Sequence, residues 1–256
     1  MVVLQVLWVL GLLVFGIFSL SSVRVQAADE PVSIASARLQ DQSQVLTPQL
    51  LSFEARCEVE LAPTSVTVLW ELAEVSVDHT RSITELSKAG KSPQGNVTLG
   101  LTQAALGSQF SFGMETLTDP VTGRTCMRPQ IAIRVSAGVQ KISVAREFAK
   151  GSCGYQSVLD HEMQHVRAND DQAQFTSRRI EAEIRRSLGN RVFYGTRDEL
   201  EGYLVLAVKD HWIPMARQSF AKVETDHGRI DRKSENLRVF NSCNGEVVRT
   251  VTASVI

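Results

Sequence analysis

From Tyr155 to Leu188 the chain reads YQSVLDHEMQHVRANDDQAQFTSRRIEAEIRRSL, without a Gly or a Pro. Ala, Glu, Gln, Arg, Met and Leu dominate, residues that lose little side-chain freedom in a helix. Val158, Phe175, Ile180, Ile184 and Leu188 recur at spacings that a helix brings near one side. Gly189-Asn190 then supplies a stop. A second helical stretch is predicted from Thr196 to His227, closed by Gly228, with Pro214 kinking or dividing it. Two such stretches joined by a short loop predict a long antiparallel helical hairpin.

Upstream the pattern changes. Ser65 to Val77 is rich in Val, with Trp70 and Leu72, and predicts one or two strands. Thr80 to Ala89 reads as a short helix ended by Gly90, and Lys91 to Asn96 as a loop. Gln109 to Thr116 and Gln130 to Val135 read as strands around the turn signal Asp119-Pro120-Val121-Thr122-Gly123. In the second, Ile131, Ile133 and Val135 alternate with Ala132 and Arg134, the period of a half-buried strand. Lys141 to Glu147 repeats the alternation. Strands first and helices after is an α+β plan: a small β-rich N-terminal part (28–150), then a helical part (151–256), in one domain.

Inside the first long helix lies His161-Glu162-Met163-Gln164-His165. Residues i and i+4 share a helix face, so both imidazoles can meet one Zn²⁺. Glu162, one residue on, can reach a water on that metal and act as general base when the water attacks a carbonyl. The bland alternative is two surface histidines on an ordinary helix.

Two imidazoles leave a catalytic zinc one protein ligand short. Asp170 and Asp171 lie too far along and around the continuing helix to close the site. In a straight hairpin folded near residue 192, Glu199 and Glu201 face the helix roughly 30 Å from the histidine pair, while position 221 comes opposite 163. Glu224 and His227 lie within two turns of 221 and share a side at i, i+3 spacing. Either can supply the third ligand.

Glu224-Thr225-Asp226-His227-Gly228, downstream of His161-Glu162-x-x-His165, resembles a group of bacterial secreted proteins described as a predicted zinc-dependent protease family of unknown substrate. The resemblance covers about the last hundred residues. It implies a zinc-dependent hydrolase and favours His227 over Glu224 as the third ligand.

Val2 to Leu20 is almost unbroken apolar sequence, and Val25-Gln26-Ala27 before Ala28 matches a leader-peptidase site. Residues 1–27 are therefore read as a signal peptide and the protein as secreted or periplasmic, although no Lys or Arg precedes the run; the rival is an uncleaved anchor, because a run of this length could just span a bilayer. Four Cys in an exported chain predict two disulfides. An antiparallel hairpin returns the chain to its start, so Cys153 and Cys243 should pair, leaving Cys57 with Cys126. Hydrophobic residues at 43%, charged residues at 21% and a net charge of −1 exclude a disordered chain and a broad basic field for nucleic acid. No stable membrane insertion is expected after leader cleavage. His79 and His211 are isolated, Tyr155, Tyr194 and Tyr203 offer hydroxyls without a sequence reason to choose one, and the Arg178–Arg186 cluster, interleaved with Glu, reads as a solvated face. The leading expectation is a secreted zinc metallopeptidase that binds extended peptide by strand addition, with Lys141–Glu147 as the nearest strand. The competing expectation is a non-catalytic cell-envelope protein with a structural or vestigial zinc site.

Overall fold

The structure, a computed structural model, describes residues 51–72, 74–91 and 96–255. The expected leader and the lead-in to residue 50 lie outside the described residues. The chain is mixed α/β, with most strands before residue 145, helices after it, and no closed barrel among the described residues.

Two small sheets are built from the same pair of long strand paths. In the first, β5 (Thr125–Ser136) is the spine. It pairs antiparallel with β4 (Gly107–Thr118) along one edge. Along the other it pairs parallel with β1 (Ser65–Glu71) and, at residues 125–127, antiparallel with the short β7 (Phe193–Gly195). In the second sheet, β6 (Gln140–Val144) lies between β2 (Val75–Asp78), parallel to it, and β3 (Gly100–Gln103), antiparallel to it. Thus β1 runs on into β2 and β5 into β6. The break falls at Gly138, whose φ is +60° and whose missing Cβ would lie 2.8 Å from the Ala105 carbonyl oxygen. Only glycine fits that close turn. The alternation expected for β5 is present: Ile131, Ile133 and Val135 are buried, while Ala132 and Arg134 face out.

One helix crosses both sheets. Helix α3 (Cys153–Leu188) is 36 residues long, about 54 Å at 1.5 Å per residue. The Ser152 hydroxyl caps it by accepting from the Tyr155 N–H, and Gly189 ends it at φ +57°. Ala173, Ile180, Ile184 and Leu188 join a core with Ile131, Ile133 and Val135. Val158 and Val166 join a second core with Leu101, Ile142, Val144 and α2 (Ile83–Ala89). Phe175, which spacing placed on the same side, is 51% exposed. It stands five residues before Ile180, roughly 140° round the helix.

The return leg is antiparallel, as expected, but broken. It comprises α4 (Arg197–Leu206), a π-helical stretch at 207–212, α5 (Ile213–Phe220) and α6 (Val223–Ile230). Pro214 lacks the N–H that an α-turn would give the carbonyl of residue 210, which accounts for the division there. Gly228 does not stop the helix; it lies inside α6, which continues to Ile230. Two further helices, α7 (Lys233–Phe240) and α8 (Glu246–Val255), pack back on the start of α3 and had no counterpart in the sequence reading.

Both expected disulfides are present. Cys57, on α1 (Phe53–Glu60), joins Cys126 with Cα atoms 6.2 Å apart, and Cys153 joins Cys243 at 5.6 Å. The second closes a loop of 90 residues around the helical half. Replacing Cys153 and Cys243 together with Ala should lower unfolding free energy by about 4.6 kcal/mol on chain-entropy grounds. Urea titration of both proteins measures it, and a loss under about 1 kcal/mol would show that packing of α7 and α8 alone holds the two ends together.

Candidate metal centre

His161 and His165 lie one turn apart on α3, their rings edge to face with centroids 5.2 Å apart. Helix α6 crosses them and presents His227; Asp231, its C-terminal cap residue, follows one turn later. Asp231 Oδ1 is 3.3 Å from His161 Nε2 and 3.0 Å from His165 Nε2. His165 is 2% exposed, whereas the Asp231 side chain keeps 29%, so solvent reaches the cluster from the Asp231 side.

Glu162 turns the other way, towards β3. Its Oε2 accepts a hydrogen bond of 2.7 Å from the Thr102 hydroxyl. Gly100 makes room for it: a Cβ there would stand 2.6 Å from Glu162 Oε1 and 2.8 Å from a Val158 methyl. The Gly-x-Thr spacing of β3 therefore lets backbone close on the carboxylate and lets a hydroxyl hold it.

The charges are unevenly settled. Burial pushes the Glu162 carboxyl up, and the nearby His165 and the Thr102 hydrogen bond offset only part of this. Burial would also raise Asp231, but hydrogen bonds to His161 and His165 outweigh it and hold this carboxyl well below the usual range. Burial opposes protonation of His161, yet the carboxylates of Asp231, Glu162 and Glu235 raise its pKa overall. His161 Nδ1 is buried without a hydrogen-bond partner, and the Glu235 carboxylate stands 3.9 Å from it. His227 is pushed down to about 4 by burial, with His165 adding to the effect.

The residues singled out in the sequence thus separate. His161, Glu162 and His165 come together. His227 joins them from the far side of His165, its Nδ1 2.8 Å from His165 Nδ1. The atom that meets both Nε2 positions is Asp231 Oδ1, from a residue that the sequence reading did not weigh. Among the described residues, His161, His165 and Asp231 are the buried group whose donor atoms can share one ion. Glu224 and Asp171 are exposed, and Glu199 caps its own helix by accepting from the Thr196 N–H. His79 is tied to the Phe148 carbonyl at 2.7 Å, and His211 is exposed. The straight-hairpin arithmetic put 221 opposite 163; residues 227–231 stand opposite 161–165 instead. A return leg broken into short helices uses more residues over the same distance.

The donor set fits a divalent metal. Four ligands at about 2.0–2.1 Å in a tetrahedron stand about 3.3 Å from one another. The observed 3.0 and 3.3 Å between the carboxylate oxygen and the two imidazole nitrogens match that spacing. The carboxylate is ionised and the Nε2 atoms converge on it, the arrangement that a cation of radius suited to nitrogen and oxygen would replace with its own bonds.

Asp231→Ala should therefore lower zinc affinity by orders of magnitude, while Glu224→Ala leaves it within a few-fold of the parent. Competition with a chromophoric chelator measures both, and an unchanged Asp231→Ala would remove Asp231 from the donor set. Compared with known proteins, the chain matches no protein-family model, no curated protein and no solved structure, so its chemistry is read from the site itself.

Proposed function

We propose that the protein is an exported zinc-dependent peptidase. His161, His165 and Asp231 hold the ion, and Glu162 is the general base. The observation that carries this reading is the pairing of a three-atom donor group with a separate, buried carboxylate on the same turn of helix. Two imidazoles and one carboxylate also suit Fe²⁺. Glu162 favours zinc, because a carboxylate beside the donors but outside them serves proton transfer in hydrolysis.

Zn²⁺ at this position supplies a Lewis acid that polarises a carbonyl and acidifies water. Glu162 accepts the proton as water adds to the peptide carbonyl carbon, then passes it to the departing amine nitrogen as the C–N bond breaks. The Thr102 hydroxyl holds the carboxylate in place against β3.

The strand offered to substrate is β3 rather than Lys141–Glu147. β6 is paired on both sides and has no backbone edge to give. β3 is the outer strand of its sheet and passes Glu162 through Gly100 and Thr102, so an extended peptide added along it would run beside the base. Export is supported by the two disulfides and by the leader-like N-terminus. No helix among the described residues is long and apolar enough to cross a membrane.

The enclosure of the site favours the competing reading, a structural zinc in a non-catalytic envelope protein: Glu162 is only 5% exposed. Glu162→Gln separates the two. The carboxylate is outside the donor group, so the variant should keep about one zinc per chain while hydrolysis of an unstructured protein substrate falls about 10²–10⁴-fold. Loss of zinc together with activity would contradict the role given to Glu162, and a zinc-loaded parent inert towards a panel of protein substrates would leave the structural reading.

A further inference from the structure

Between α3 and the start of β6 lies a buried line of polar side chains that the proposed chemistry does not use. Gln140, fully buried, places its Nε2 3.0 Å from Asp170 Oδ1 and 3.4 Å from the Val166 carbonyl oxygen. Both neighbours only accept, so the amide orientation is determined and Oε1 faces the other way. There it accepts 2.8 Å from Asn169 Nδ2. Asn169 Oδ1 then faces His227 Nε2 at 3.0 Å. A carbonyl oxygen only accepts, so His227 Nε2 carries the hydrogen.

The last link joins two like atoms. His227 Nδ1 and His165 Nδ1 are 2.8 Å apart and share a single hydrogen. With its own hydrogen on Nε2, His227 accepts at Nδ1, and the shared hydrogen belongs to His165 Nδ1. We propose that Asp170, Gln140, Asn169 and His227 form a one-way hydrogen-bond chain that keeps a hydrogen on His165 Nδ1, so that Nε2, which faces Asp231 Oδ1 at 3.0 Å, is the nitrogen that binds when an ion takes the place of that hydrogen bond. His227 is then a positioning residue rather than a ligand. This rests on the reading that His165 Nε2 is a donor to the ion.

Each group in the chain is anchored by the one before it, and the first acceptor is a carboxylate with no hydrogen to give. Reversal would require Gln140 Oε1 to face two acceptors, leaving buried oxygen atoms opposed; such an unmade buried bond is costly. Asn169 and His227 are 1% and 2% exposed, so water is not at hand to repair a wrong tautomer.

The test uses the full ¹⁵N-labelled chain, metal-free and loaded with Zn²⁺ alone. Long-range proton–nitrogen spectra report which ring nitrogen bears hydrogen. The parent should show His227 with hydrogen on Nε2 and a bare Nδ1 in both states, whereas zinc should move the His165 Nε2 signal. His227→Leu should weaken zinc binding about 10–100-fold, the usual cost of losing such a support. His227→Gln offers an acceptor and a donor in one plane, and should hold zinc within a few-fold of the parent. Hydrogen on Nδ1 of His227 in the parent would overturn the proposal without recourse to any variant. So would a His227→Gln chain that loses zinc as completely as His161→Ala, since that would make His227 a ligand. A parent that binds no zinc would contradict the metal reading instead, and its His227 tautomer would still decide the hydrogen-bond order.

Discussion

A carboxylate and two imidazoles cannot be taken out of water one at a time. Each alone loses several kcal/mol of hydration. Together, Asp231 between His161 and His165 compensates much of that loss, and a cation would compensate more. This contact sets what surrounds it. Helix α6 must cross α3 at one turn and end where Asp231 can reach both rings. Helices α7 and α8 must then fold back over the start of α3, where the Cys153–Cys243 disulfide holds them. The polar side chains that line α3 beyond the site, Gln172 and Thr176, keep the crossing in place by bonding to Ser219 on α5.

The sheets serve the same site from the other side. The bend at Gly138 divides one long strand pair into two sheets, and the second places β3 across Glu162. Two opposite demands meet there. Gly100 gives the closest possible approach of backbone to carboxylate, and Thr102 gives one hydroxyl to hold it. Glu162 and the two histidines thus occupy one turn of helix but face different elements, so the Glu162 carboxylate and the donor group are held by independent supports. A change in β3 can disturb the Glu162 carboxylate without touching the donor group.

Much of this was legible in the sequence. The His-Glu-x-x-His spacing, the helix over the Gly- and Pro-free stretch from Tyr155 to Leu188, the alternation in β5 and both disulfide pairings follow from local pattern and hairpin topology. Asp231 was not legible for a definite reason. Gly228 reads as a helix stop, and stopping there hides a residue one turn later. Packing against α3 overrides that preference and carries α6 on to Ile230. Strand β3 is four residues long and has too little pattern to show alternation. Asn169, Gln172 and Thr176 look like a solvated face in any sequence, because only the tertiary partners Gln140, His227 and Ser219 make them interior. The straight-hairpin estimate failed because a π-helical stretch before Pro214 and a turn at residues 221–222 break the return leg, an effect that distance along a regular helix does not include.

The central claim is that one metal ion sits between α3 and the end of α6. Crystals of the full chain grown with zinc, measured on both sides of the zinc absorption edge, test it most directly. The account requires a single anomalous peak about 2.0–2.2 Å from His161 Nε2, His165 Nε2 and an Asp231 carboxylate oxygen. A peak bonded to His227 in place of Asp231, or no peak at this position in a zinc-saturated crystal, would contradict it.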